Sequence, residues 1–320
     1  MGEKHKYREK KEKRIKVLVT GGTGFVGERL RLVKPDWVYM SSKDVNFISY
    51  EDTLTFLERE APDAIVHLAA RVGGIQDNAK HPADFYDANI LINTNVVRAS
   101  KAAGIKRLLA CLSTCAFPDE VEYPFDESSI MSGPPAETNL AYGFTKRALY
   151  VQIMAYRKQY GLDYSCFSPT NLYGPEDNFD PETSHFIPAA LKKFREAKGE
   201  ALEFWGTGDT IRQFLFIDDL CRAIPELLDK HHSGTPVIIS PDETINIQEM
   251  ASLCKEVVGS NSSFSFNGYL PGQFRKDAVN DELKKLLPSF EFTPYKDGLR
   301  ATYEWYICSN EYIQRLQEEI

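Results

Sequence analysis

The sequence predicts an α/β fold built on a doubly wound parallel sheet, with a smaller mixed α/β lobe at its C-terminal end. Three observations predict it. Apolar strand-like runs alternate with helical stretches through the first half of the chain, an order that calls for right-handed crossovers. A glycine-rich turn follows the first of those runs directly. After Pro169 the alternation breaks into short elements separated by loops rich in Pro, Gly and Asp.

The elements follow in order. Ile15–Thr20 is the first strand, then a glycine turn and a short helix to about Val33. Trp37–Met40 and Ala64–Leu68 are the second and third strands, and a long helix over 82–103 leads to a fourth at Arg107–Leu112. A helix over 139–160 precedes a fifth strand, Tyr164–Phe167. Beyond it come a helix from His185 to Ala197, a strand at Phe214–Ile217, and helices near 219–229, 246–258 and 297–316. The expected division is a basic arm over 1–14, a dinucleotide-binding unit over 15–170 with later elements returning to it, and a mainly substrate-binding lobe over 171–320.

At 320 residues, with 42% hydrophobic and 26% charged side chains, the chain has the make-up of an ordinary globular protein. Its net charge of −8 is uneven. Residues 1–16 carry eight Lys/Arg against three Glu, which leaves the body near −13 and argues against a nucleic-acid-binding surface there. The arm reads as a solubilising extension. No apolar run has the form of a signal peptide or reaches transmembrane length. The six cysteines form no C-x-x-C pair, and Cys111 and Cys115 on one strand would stand about 13 Å apart, too far for a disulfide. A reducing, cytoplasmic setting is expected.

Gly21, Gly22, Thr23, Gly24, Phe25, Val26 and Gly27 form a G-x-x-G-x-x-G turn between strand and helix. Such a turn brings backbone close to a pyrophosphate and sets a helix N-terminus toward the anion, so a Rossmann dinucleotide site is expected. The second strand ends in Ser41-Ser42-Lys43-Asp44. Ser42 and Lys43 suit a 2′-phosphate and favour NADP(H), whereas Asp44 is the residue type that accepts from unphosphorylated ribose or serves the adenine side.

Tyr142 and Lys146 lie four residues apart, on one helical face. A neighbouring ammonium is expected to shift the phenol toward phenolate; with Ser113 nearby, the three can polarise and protonate a carbonyl. Cys115, two residues past the serine, sits where strand ends meet ligands. His67, inside the third strand, reads as a satisfied core residue, and His231 and His232 as solvent-exposed.

Together these residues resemble the extended short-chain dehydrogenase/reductase family, through the glycine turn, Asn89 and Asn93-Thr94-Asn95-Val96, Ser113 and Tyr142-x-x-x-Lys146. Five further stretches resemble the nucleotide-sugar epimerase–reductases of that family: Leu68–Ile75, Leu112–Pro118, Pro169–Pro175 continuing to Asp177-Asn178-Phe179, His185–Pro188, and Trp205–Gly208 with Arg212-Gln-Phe. The resemblance implies a GDP-linked 4-keto-6-deoxy sugar, inverted at C3 and C5 and then reduced at C4 with NADPH. It implies Cys115 and His185 as the acid/base pair, Ser113 and Tyr142 on the ketone oxygen, and Lys146 on the nicotinamide ribose. It adds Leu68, Ala69, Ala70, Leu112, Pro169, Asn171, Leu172 and His185 to the cofactor site, and Asn171, Lys193, Trp205, Arg212 and Lys276 to the substrate site. A homodimer through the 82–103 and 139–160 helices is also implied.

One departure stands at Leu270-Pro271-Gly272, where the family commonly has Asp-Gly, so one substrate contact is replaced. Competing readings are a nucleotide-sugar 4-epimerase or 4,6-dehydratase and a non-catalytic NADP sensor. The dehydratases carry Asp-Glu where Cys115-Ala116 stands here, and the sensors lose the Tyr/Lys pair.

Overall fold

A computed structural model describes residues 15–73, 75–180, 183–269 and 273–318. The basic arm over 1–14 and the departure at Pro271 lie outside these described residues. In chain order the elements are β1 (Val17–Thr20), α1 (Phe25–Val33), β2 (Val38–Met40), α2 (Tyr50–Glu60), β3 (Ala64–His67), α3 (Ile75–Lys80), α4 (Pro82–Ala102), β4 (Arg107–Cys111), α5 (Leu140–Tyr160) and β5 (Asp163–Pro169). They continue with β6 (Asn171–Tyr173), α6 (Phe186–Glu196), β7 (Leu202–Phe204), β8 (Ile211–Arg212), β9 (Phe214–Phe216), α7 (Ile217–Lys230), β10 (Val237–Ile239), β11 (Ile245–Asn246), α8 (Ile247–Val258), β12 (Phe264–Phe266), β13 (Arg275–Lys276), α9 (Asp281–Leu286) and α10 (Tyr295–Glu318).

The main sheet runs β10-β5-β4-β3-β1-β2, and every pairing in it is parallel. Side chains alternate across it as strand geometry requires. Val17, Val19, Val66 and Leu109 pack on one face, in a single cluster with residues of α1, α6, α7 and α8. Leu18, Ile65, Leu108 and Ala110 pack on the other, with residues of α2, α4 and α5. Strands buried on both faces read as unbroken apolar runs, which is why the first strands stand out in the sequence.

Several elements were not placed from the sequence, helix α2 and strand β10 among them. Helix α2 carries five acidic or basic residues over eleven positions, which blurs its apolar face. Its signal was the cap: Ser49 accepts from the Asp52 backbone N–H. Strand β10 returns to the main sheet beside β5. Its return is stitched by Arg107 at the start of β4. That guanidinium donates to the Leu227, Leu228 and His231 carbonyls at 3.0, 2.6 and 3.0 Å and to Ser165 Oγ at 2.9 Å. It thereby satisfies the carbonyls that the end of α7 would leave unpaired.

The same arrangement corrects one expectation. His231 is not solvent-exposed: it is buried, with Nε2 3.2 Å from the Cys166 carbonyl, because Arg107 draws the end of α7 onto the sheet. His232 is exposed and pairs with Asp163. His67 is a satisfied core residue, between Thr20 Oγ1 at 2.8 Å and Asn93 Oδ1 at 3.1 Å. All six cysteines are free, and no helix among the described residues is long and apolar enough to cross a membrane.

Replacing Arg107 by methionine keeps much of the stem but strands these carbonyls. We expect a loss of about 2–4 kcal/mol in urea unfolding; a change below about 0.5 kcal/mol would show that the end of α7 does not need the guanidinium.

Candidate active site

A cleft of about 380 Å³ opens along the C-terminal ends of β1, β3, β4 and β5, where doubly wound sheets bind ligands. At one end lies the glycine turn. Gly21 has φ +75°, and a Cβ there would stand 2.8 Å from the Ala69 backbone nitrogen, so the turn presses on the loop after β3. Gly24 precedes helix α1 as its N-cap and offers no side-chain cap, which leaves the first amides of the helix to an anion. Gly21, Gly24, Phe25, Val26 and Gly27 line the cleft with Leu68, Ala69 and Ala70, while Gly22 and Thr23 complete the turn outside its lining. These residues fit the pyrophosphate of a dinucleotide. Pro169, Asn171 and Leu172 border the other half of the same space, with Leu112 and Lys146.

Ser42 and Lys43 lie beyond the cleft at the end of β2 and are exposed. Asp44 is folded into its own turn, accepting from Ser41 N at 2.8 Å and Ser41 Oγ at 2.7 Å. The hydroxyl bond, and after it the backbone bond, hold that carboxyl below the usual range. The acid that complicates the sequence reading is thus occupied locally. Arg31 was not singled out from sequence, yet it lies 4.6 Å from the Tyr39 ring centroid and donates to the Gly22 carbonyl at 3.2 Å. It adds a second cation beside this turn.

Helix α5 carries Tyr142 and Lys146 to the middle of the cleft. Its Arg147 holds the helix to the chain after β4, donating Nε to Ala116 O at 2.8 Å and Nη1 to Gly133 O at 2.6 Å. Gly143 makes that contact possible, since a Cβ there would run into the Cys115 carbonyl. Asn93 of α4 ties the same helix from behind, through His67 and the Thr145 carbonyl. The asparagines of α4 are clamps: Asn89 bonds Arg71 on both its backbone groups, and Asn95 holds the Ile48 carbonyl.

Lys146 is buried, and its Nζ donates to the Cys111 carbonyl at 2.8 Å. Burial lowers its pKa. The phenolate expected of Tyr142 is not what the site favours. Burial raises the phenol strongly, Cys115 and Cys111 push the same way, and the Ser113 hydrogen bond opposes them weakly. Lys146, committed to a carbonyl and 5.9 Å from the ring centroid, does not reverse this. Tyr142 therefore stands as a protonated donor.

Ser113 caps the 3-10 turn Thr114–Ala116 by accepting from the Cys115 N–H at 3.2 Å. Cys115 Sγ receives two further donors, Asn139 Nδ2 at 3.1 Å and Lys276 Nζ at 3.2 Å. Burial alone would raise this thiol, but Lys276, then the Ser113 bond and Arg212, outweigh it and leave the pKa lowered. Four residues away, Cys111 lacks such partners and burial pushes it up to about 11.

His185 stands at the N-terminal end of α6 without capping it through its side chain, and it opens onto the cleft. Its ring is reachable by solvent yet walled by protein, and that desolvation lowers its pKa. The chain before it is braced by its own bonds and by α10. Asp177 accepts from the Asn178 N–H at 2.7 Å, Asn178 Nδ2 donates to Thr183 Oγ1 at 2.8 Å, and Phe179 stacks on Tyr306 with centroids 4.3 Å apart. Arg212, Lys276 and Asn171 line the cleft, as does Gln273, which sequence did not single out. Lys193 and Trp205 stand outside its lining. Lys193 donates to the Glu203 carbonyl at 3.1 Å, and Trp205 is exposed, edge-on to Tyr269.

A fold of this topology, with a glycine cradle, a Ser/Tyr/Lys set and an added thiol and imidazole in one cleft, defines a class. The sequence profile of the NAD dependent epimerase/dehydratase family matches residues 17–247, and the chain belongs to that family. Its relatives are more particular. It is 36% identical over 317 residues to the probable GDP-L-fucose synthase of Drosophila melanogaster, covering 91% of this chain and 97% of that one. With GDP-L-fucose synthase 1 of Arabidopsis thaliana it shares 37% over 308 residues, covering 92% and 94%. Among solved structures, the GDP-L-fucose synthetase from Naegleria fowleri bound to NADP superposes with a TM-score of 0.85 at 28% identity, covering 94% and 96%.

Asp177 offers a check on the loop before His185. Burial raises its carboxyl from 3.8 to about 7, so the folded chain holds this proton more tightly than the unfolded one. Ionising it costs no stability below about pH 3.8; the cost grows through that window and is complete above pH 7. Asp177→Asn should therefore stabilise the protein by about 2–4 kcal/mol at pH 8, and the gain should vanish by pH 4. A gain that does not vary with pH would show the carboxyl to be unperturbed.

Proposed function

We propose that this chain inverts C3 and C5 of GDP-4-keto-6-deoxy-D-mannose and reduces C4 to give GDP-L-fucose, with NADPH as its reductant. The observation that carries the reading is the cleft shared by Cys115, His185, Ser113 and Tyr142. A 4-ketone acidifies the hydrogens on both neighbouring carbons through a common enolate. Ser113 and Tyr142 hold the ketone oxygen and stabilise that enolate as an oxyanion hole does. Cys115 and His185 exchange the carbon-bound protons, being the two side-chain types that titrate near neutrality. NADPH supplies the hydride when bound along the glycine turn. Tyr142, kept protonated by burial, donates to the oxygen at C4, and Lys146 orients the ribose beside it.

On the substrate side, Arg212 and Lys276 bring positive charge to the cleft for the diphosphate, and Asn171 borders the sugar. Trp205 with Tyr269 offers an exposed aromatic pair to the base, and Lys193 a nearby cation. Residues 171–320 thus supply most substrate contacts, and 15–170 most cofactor contacts. Ser42, Lys43 and Arg31 favour the 2′-phosphate. Leu140, Phe144, Val151 and Met154 are exposed on α5, and Leu91 on α4, which supports a homodimer through these two helices. The free cysteines suit a reducing cytoplasm.

With the keto sugar, the protein should consume NADPH and release GDP-L-fucose; no loss of the reduced-nicotinamide absorbance would end the proposal. Cys115→Ser should slow turnover about 10²–10⁴-fold and block deuterium entry from solvent at C3 and C5, with NADPH binding kept. Retained exchange at both carbons would remove Cys115 from this role. Val151→Asp should convert the dimer to monomer in sedimentation, and an unchanged mass would place the interface elsewhere.

A further inference from the structure

Lys276 comes from the far side of the cleft, on a strand held in place. β13 pairs in parallel with β8, setting Lys276 opposite Arg212. Next to it, the Phe125 N–H donates to the Asp277 carbonyl at 3.1 Å, and the Ala278 N–H to Gln213 Oε1 at 2.9 Å. Arg275 grips the Asp277 carboxylate with two bonds. From this strand the ammonium reaches Cys115 Sγ at 3.2 Å. Asn139 reaches the same sulfur at 3.1 Å; it immediately precedes α5, and its side chain does not cap the helix. Two N–H donors converging on one sulfur call for an acceptor, which a thiolate is and a thiol is only weakly.

We propose that Lys276 is a positioning residue for Cys115: its ammonium keeps the sulfur ionised and fixed in the cleft before substrate arrives. The inference rests on Cys115 being the proton-transfer group of the proposed reaction. The sulfur then takes the proton from carbon and becomes a neutral thiol, the bonding pair moves to the ketone oxygen, and the thiol later releases its proton to solvent. The groups facing the sulfur are Lys276 from β13, Arg212 from β8, Tyr142 from α5, Asn139 and Ser113.

The test is alkylation of the full-length protein by iodoacetamide across pH 5–10, resolved by peptide mass spectrometry, with exposed Cys308 as internal reference. In the wild type, the midpoint for Cys115 should lie below that for Cys308. Lys276→Met should raise it by about one to three pH units, slow Cys115 alkylation near neutrality at least ~10-fold, and leave Cys308 unmoved. Lys276→Arg should restore it. With the keto sugar, Lys276→Met should lower kcat as well as raise KM, the fall in kcat being what the loss of a substrate contact alone would not give. A wild-type midpoint at or above that of Cys308 would overturn the proposal, even if the methionine variant does not fold. So would an unmoved midpoint in Lys276→Met, alone or with a raised KM, the signature of a substrate contact. The alkylation arms use no sugar, so they read out Lys276 whether or not GDP-L-fucose is the product.

Discussion

The site depends on how α5 is fastened to the turn after β4. Arg147 bonds the Ala116 and Gly133 carbonyls, and Gly143 gives up its side chain so that the Cys115 carbonyl can approach. A phenol on a helix and a thiol on a turn, more than twenty residues apart in sequence, are thereby held in one frame. A guanidinium making several bonds to carbonyls of two loops fixes them in three dimensions, which a single apolar contact does not. The interaction is buried, so water does not compete for it. Asn93 completes the frame from behind through His67 and Thr145.

Within that frame the charges sort themselves by burial and partners. Tyr142 keeps its proton because its phenol is buried beside two cysteines. Lys146 is satisfied by a backbone carbonyl and does not neutralise the phenol. Of the two cleft cysteines, Cys115 alone has cationic and amide donors, and its pKa is the lowered one. A donor and an acceptor of protons are thus set side by side without quenching each other, the separation of roles that paired acid/base sites need.

Much of this was legible in the sequence, for identifiable reasons. The parallel strands announced themselves because both their faces are buried, and the glycine turn because close backbone approach leaves few alternatives. The i, i+4 spacing of Tyr142 and Lys146 placed both on one helix, and the motif around Cys115 placed the thiol at a strand end. The protonation state of Tyr142 was not legible, since it turns on where the Lys146 ammonium finds an acceptor, and that acceptor is the backbone of Cys111. Nor was the partner of Lys276, because β13 meets the turn at Cys115 across 161 positions of chain. Arg107 and Arg147 gave no signal for a similar reason: backbone carbonyls have no sequence. His231 was misplaced because its burial is decided by Arg107, over a hundred positions earlier.

Strand β10 and helix α7 carry one more consequence. The chain leaves the main sheet after β5, builds part of the second lobe, and comes back to lay β10 along β5 and α7 against α1, with Arg29 of α1 paired to Asp218 of α7. Cut at residue 170, the first half would bare the edge of β5 and an entire apolar face of its sheet. The second half would lose the surface on which α7 lies. The halves on either side of residue 170 are therefore parts of one cooperative unit. Recombining this chain with a relative would have to exchange β10 and α7 together with the first half, although both are encoded well inside the second.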